Sequence, residues 1–152
     1  MYGKNRIGEI LNYMHITENI ASSGQPYESE FAVIADAGYD VIINLAMPNS
    51  QNAIPSEGHF VTVNNMIYIH IPVPFDAPEL FHLKSFIKIM ETFADKKVWV
   101  HCVKNYRASA FLYHYLHISR GFSSLEAQKA ILPEWEPNEI WQRFMIIDSK
   151  LV

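Results

Sequence analysis

Apolar positions along this chain alternate between short unbroken runs and longer stretches in which they recur three and four apart. Ile20-Ala21-Ser22 reads as a short strand that enters the turn Ser23-Gly24-Gln25-Pro26. A helix over residues 27–37 follows, closed by Gly38 as a C-terminal glycine. Val41-Ile42-Ile43-Asn44-Leu45 is a β-branched run suited to a strand covered on both faces. Residues 47–65 are less regular and read mostly as loop, with a helical turn and a marginal strand at 60–63. Residues 66–71 form the next strand, stopped by Pro72 and Pro74. Leu80, Leu83, Ile87, Met90 and Ala94 keep helical spacing and predict an amphipathic helix over 79–94. Val98-Trp99-Val100 is a further strand, and Ala108, Phe111, Leu112, Tyr115 and Leu116 share one helical face after it. Gly121 ends that helix, Ser123 with Glu126 caps another reaching about residue 132, and Pro137 opens a last one reaching about residue 149. Strands separated by helices predict an α/β fold: a central, largely parallel sheet flanked by helices.

Composition narrows the class. At 152 residues and 49% hydrophobic, with no linker-like tract, the chain reads as a single domain spanning 1–152. A net charge of −4 and a pI near 5.9 argue against nucleic acid or an anionic membrane surface as a partner. Attraction for an anionic ligand must then be local. One cysteine excludes an internal disulfide and an internal resolving thiol, which suits a reducing compartment. The first nine residues are polar, no signal-like core follows, and no run approaches the roughly 20 apolar residues of a membrane span. The cytoplasm is the expected compartment, unless a leader has been removed. Oligomeric state is not set by any of these features.

The chemistry concentrates in His101-Cys102-Val103-Lys104-Asn105-Tyr106-Arg107-Ala108-Ser109. The only cysteine follows a strand, precedes a helix, and is trailed by an arginine in that helix's first turn. Backbone amides in such a loop converge on one point, where the helix dipole also favours negative charge. A thiol at a helix N-terminus beside a cation loses its proton readily, its pKa falling from about 8.5 to roughly 3.5–7.5. An arginine in the first turn opposes the helix dipole, so its presence there suggests a bound anion. The expected partner is a phosphorylated substrate or a small oxyanion.

The pieces Ser23-Gly24-Gln25-Pro26, Ala37-Gly38-Tyr39, Val41 to Leu45, Ile69-His70-Ile71-Pro72-Val73 and Val100-His101-Cys102, in that order, resemble the dual-specificity, tyrosine-phosphatase-like superfamily. More narrowly they resemble its bacterial beta-lactamase-hydrolase-like phosphatase branch. The resemblance covers most of residues 15–145 and implies the cysteine phosphatase fold and hydrolysis of a phosphomonoester through a phosphocysteine, without cofactor or metal. It makes Cys102 the nucleophile and the amides of Val103, Lys104, Asn105, Tyr106 and Arg107 the phosphate-binding loop. Arg107 would clamp two oxygens bidentately, as lysine cannot. Asp76, in Pro74-Phe75-Asp76-Ala77-Pro78, occupies the kind of loop that supplies the family's general acid. Ser109 would hydrogen-bond the Cys102 sulfur and ease its departure.

One feature departs from the superfamily pattern. Four residues, Val103 to Tyr106, separate Cys102 from Arg107, one fewer than in tyrosine phosphatases, and Asn105 stands where a mid-loop glycine is common. Asparagine is the next best residue for left-handed backbone. The short gap resembles rhodanese-type sulfurtransferases, which carry a persulfide on the cysteine, although the beta-lactamase-hydrolase-like branch shortens this loop too. Three functions therefore stand: a phosphatase first, then a sulfurtransferase with a Cys102 persulfide, then a phosphate-binding module without turnover.

Several of these residues also have structural readings. Asp76 with Glu79 fits an N-cap and capping box for the following helix as well as it fits a general acid. His101 is expected to support the loop through hydrogen bonds, its imidazole helping to keep the thiolate charged. Lys104 fits a substrate-facing charge or a solvated loop position. Gly24-Gln25-Pro26 reads as a turn, Tyr106 flanks the ligand, and Trp135 packs. His70, His114 and His117 lack the ligand spacing of a metal site.

Overall fold

The computed structural model describes residues 6–152. Residues 1–5, the start of the polar opening weighed above, lie outside the described residues. Five strands form one sheet in the order β1-β2-β5-β3-β4: β1 is Met14–Thr17, β2 Ile20–Ser23, β3 Val41–Asn44, β4 Ile67–His70 and β5 Val98–His101. Only β1 is antiparallel, paired with β2 as a hairpin; the other pairings are parallel. The helices are α1 (Glu30–Asp36), α2 (Glu57–Thr62), α3 (Leu80–Thr92), α4 (Tyr106–Ile118), α5 (Ser124–Ala127) and α6 (Glu139–Met145). The expected largely parallel sheet flanked by helices is what forms.

Register determines what each face carries. Ile20 of β2 and Val41 of β3 both pair with Val98, and Ser23 and Asn44 both pair with His101. Because paired residues share a face and successive residues alternate, Val98, Val100 and then Cys102 turn to one side of the sheet and Trp99 and His101 to the other. The first side packs against α3, α4 and α6 in a cluster containing Phe86, Phe111, Trp141 and Phe144. The second packs Phe31, Ile34, Ile42, Val61 and Trp99 beneath α1 and α2.

The central helix α4 is buried from Arg107 to Leu116, so the loop ahead of it is fixed from below. Gly121 at φ +76 and the capping box between Ser123 and Glu126 separate it from α5 as expected. Four elements differ from expectation. The marginal strand at 60–63 is the helix α2, and β1 was not anticipated. The helix after Ser123 is α-helical only to Ala127 and continues as a 3-10 turn to Ala130, while α6 stops at Met145. The capping box of α3 is made by Glu79 and His82, with Glu79 as N-cap, so Asp76 caps nothing. No described helix is long and apolar enough to cross a membrane.

Candidate active site

The loop after β5 lies at the carboxyl ends of the parallel strands, where open α/β sheets bind ligands. Gly24 makes its course possible, because a Cβ there would stand 2.6 Å from the Val103 carbonyl oxygen. That carbonyl accepts a hydrogen bond from the Gln25 amide at 2.9 Å, tying the loop to the turn after β2. Asn105 takes the left-handed conformation at φ 73°, ψ 15°. Its side chain then does what glycine could not, donating through Nδ2 to the Asn12 carbonyl at 2.8 Å and to Ser22 Oγ at 2.9 Å. Asn12 in turn donates to the Lys104 carbonyl at 3.0 Å. The carbonyls of this loop are thus directed outward, while the amides of Val103, Lys104 and Asn105 donate to no backbone carbonyl among the described residues.

Cys102 is 1% exposed and borders a cavity of about 400 Å³, with Lys104, Tyr106 and Arg107 on the loop side. Phe75 lines it next to Tyr106 and Arg107, and Met47 and Gln51 extend it from the segment after β3. Arg107 is 5% exposed; its Nη1 donates to the Val73 carbonyl at 2.8 Å and its guanidinium carbon lies 5.5 Å from the Phe75 ring centre. Its Nε has no partner, alone among the buried side-chain nitrogens and oxygens of the described residues. A buried, unpartnered guanidinium N–H costs about 1–3 kcal/mol or more until an acceptor arrives. Arg107 lines the same cavity as the thiol.

Aromatic packing holds the cavity wall. Tyr106 stacks on Trp135 with centroids 5.2 Å apart and planes 6° from parallel, and Trp141 Nε1 donates to the Phe75 carbonyl at 2.7 Å. Asp76 shares the turn with Phe75 but is exposed and stands outside the cavity lining. Ser109 lies one turn down α4; its hydroxyl donates to the Asn105 carbonyl at 2.6 Å and accepts from the Leu132 amide at 3.0 Å. That spends its proton on the loop's backbone rather than on sulfur. The structure therefore gathers Cys102, Val103, Lys104, Tyr106 and Arg107 around one space, and leaves Asn105, Asp76 and Ser109 outside its lining. Among the described residues no three His, Cys, Asp or Glu side chains converge to hold a metal ion.

Behind the loop stands a buried pair. His101 Nε2 lies 2.6 Å from Glu57 Oε2, with the two side chains 0% and 3% exposed. Gln25 Nε2 donates to Glu57 Oε1 at 2.8 Å, and His101 Nδ1 faces the Cys102 carbonyl oxygen at 3.2 Å. Burial alone would raise the Glu57 carboxyl, but the nearby charge of His101 and the hydrogen bonds from His101 and Gln25 prevail and hold it below its ordinary value. Burial and the Glu57 charge push the Tyr68 hydroxyl up to about 12, so it remains a neutral neighbour. Sequence reasoning anticipated His101 as a support but missed Glu57 and the role of the Gln25 side chain.

No family model and no curated protein matches the chain. Among solved structures it is similar to the putative phosphatase (DUF442) of Shewanella putrefaciens CN-32, at 34% identity over 93% of each chain with a TM-score of 0.85. It shares its fold with Tk-PTP, at 23% identity over 88% of this chain and 93% of that one, TM-score 0.75. It likewise shares the fold of the core catalytic domain of the PP-IP phosphatase SIW14 from S. cerevisiae, at 12% identity over 91% and 86%, TM-score 0.71. The 34% identity over 93% of its length places the protein in the DUF442 family of that putative phosphatase, with the fold of Tk-PTP and SIW14.

Proposed function

We propose that this protein, acting as one domain, hydrolyses a phosphomonoester through a phosphocysteine on Cys102. The observation that carries the reading is Arg107: a buried guanidinium beside the only thiol, anchored through Nη1 to the Val73 carbonyl and left with an unpartnered Nε. Such a fork matches two oxygens of a tetrahedral anion. In the first step the Cys102 thiolate attacks phosphorus in line, a sulfur–phosphorus bond forms, and the bond to the leaving oxygen breaks. The loop amides and Arg107 bear the charge on the remaining oxygens. Asp76 gives its proton to the leaving oxygen, for which the turn carrying Phe75 and Asp76 must swing inward over the cavity. In the second step Asp76 takes a proton from water, water attacks phosphorus, and Cys102 leaves as thiolate.

The test uses a small aryl phosphate. Turnover is expected in the native protein, in the presence of chelator, and is expected to vanish in Cys102→Ser. Arg107→Lys keeps the charge but loses the fork, and kcat/KM is expected to fall about 10² to 10³-fold. Absence of both turnover and vanadate binding overturns the reading. The four-residue gap between Cys102 and Arg107 favours one other reading, a rhodanese-like sulfurtransferase. A mass gain of one sulfur on Cys102 after incubation with thiosulfate marks it. Tight phosphate binding with no phosphoenzyme trapped in Asp76→Ala marks a binding module.

A further inference from the structure

We infer that Glu57 is a positioning residue for the nucleophile: its carboxylate, on the opposite face of the sheet from Cys102, keeps an imidazolium at His101 and through it favours the thiolate. The inference rests on Cys102 being the nucleophile.

The protonation state follows from what the ring touches. Nε2 faces a carboxylate oxygen at 2.6 Å and Nδ1 a backbone carbonyl oxygen at 3.2 Å. Both partners are acceptors, so only the doubly protonated ring satisfies both, and a neutral tautomer leaves one nitrogen lone pair against an oxygen. Burial opposes a cation here, and the carboxylate offsets that cost. Gln25 holds the carboxylate in place with its second oxygen engaged at 2.8 Å.

Apart from His70, the other groups around the pair are neutral. Asn44 of β3 and Ser23 of β2, which flank His101 in the sheet, are neutral, and α1 offers the Phe31 ring with its centroid 6.4 Å away. From β4, Tyr68 stays protonated, and His70 Nε2 is engaged with the Ala46 carbonyl at 2.7 Å while acting electrostatically on Glu57. On the Cys102 side the remaining cations are Arg107 and Lys104, which line the cavity and make no contact with Glu57. His101 is therefore the cation behind the thiol, and Glu57 is what keeps it charged.

The experiment reads the thiol directly, without substrate. In Glu57→Gln the shape is conserved and the charge lost; the rate of Cys102 alkylation by iodoacetamide at pH 6 is expected to drop about tenfold against the native protein and to converge with it above about pH 9. A role confined to packing would lower the melting temperature and leave that pH profile in place, which would overturn the inference. The native protein supplies a second measurement that needs no variant. Ring nitrogen resonances of His101 at neutral pH are expected to show both nitrogens protonated, and a neutral tautomer overturns the proposal. A shifted alkylation profile in a protein that hydrolyses no phosphate refutes the hydrolysis and leaves the Glu57 role standing. An unshifted profile in an active phosphatase does the reverse.

Discussion

The two faces of the sheet are built from different materials. Under α3, α4 and α6 lies an apolar layer of Phe86, Phe111, Trp141 and Phe144, whose rings meet edge-on, tilted or stacked at centroid separations of 4.9–6.4 Å. Under α1 and α2 the lower part is equally apolar, with Trp99 against Tyr13 and Tyr39, but its upper edge is polar. There Ser23, His101, Asn44 and His70 lie in one register row across four parallel strands, with Glu57 and Gln25 above His101. Cys102 belongs to the first face and His101 to the second, although they are adjacent in sequence. Alternation along β5 thus puts the thiol among apolar groups and its counter-charge across the backbone, and a slip of one residue would exchange them.

The largest test of this contrast removes material from the apolar face. Phe111 is fully buried between Phe86 and Phe144 on the helix that carries Arg107. Phe111→Ala is expected to cost about 3–5 kcal/mol of stability, read from denaturant unfolding. The alkylation profile of Cys102 at temperatures below the melt is expected to stay where it is, since Glu57 and His101 lie on the other face. A shift in that profile would show that the faces are not separable.

How much of this was legible in the sequence depended on whether a segment's own pattern matched its burial. Val41 to Asn44 and Val98 to His101 are buried at every position, and a β-branched run in the first and the apolar Val98-Trp99-Val100 in the second announced the two strands. Helix α4 announced itself by its long apolar face, and the Cys102 loop by residue type and spacing alone. Strand β1 did not, because Ile16 is its only fully buried residue and its partner is the adjacent β2. Helix α2 failed similarly: six residues long, it buries only Glu57 and Val61, too few to establish a helical period. Glu57 was invisible for that reason. An acid in an irregular stretch is ordinarily solvated, and what buries this one is Gln25 and His101, 32 and 44 residues away along the chain. Asp76 shows the converse, since a Glu three residues on suggested a cap, and the cap is Glu79 itself.

A smaller effect is expected from acid, which weakens the polar face while leaving packing intact. Glu57 in the folded protein titrates below its ordinary value of 4.5, so the native state holds the carboxylate more tightly than the unfolded chain does. Its contribution is therefore fully present above about that value and is lost as pH falls from there through the lowered folded value. Unfolding free energies measured from pH 6 to pH 3 are expected to decline for the native protein. In Glu57→Gln the decline is expected to be shallower, and identical slopes would mean that the pair contributes nothing to acid stability.

The smallest expected effect lies at the seam between the faces, where Asn105 joins the loop to β2. Its backbone is left-handed at φ 73°, a conformation that costs other L-residues roughly 1–2 kcal/mol, and its side chain supplies two hydrogen bonds, to Asn12 and Ser22. Asn105→Gly keeps the backbone at ease and removes the bonds, while Asn105→Ala removes the bonds and adds the strain. Glycine is expected to cost about 1–2 kcal/mol, chiefly because the buried Ser22 hydroxyl loses a donor, and alanine about 1 kcal/mol more. The difference between the two variants measures the strain, and the cost of glycine measures the tie. Should glycine prove neutral, the loop's position is set by Arg107, Gln25 and the start of α4, and the side-chain bonds to the hairpin only follow it.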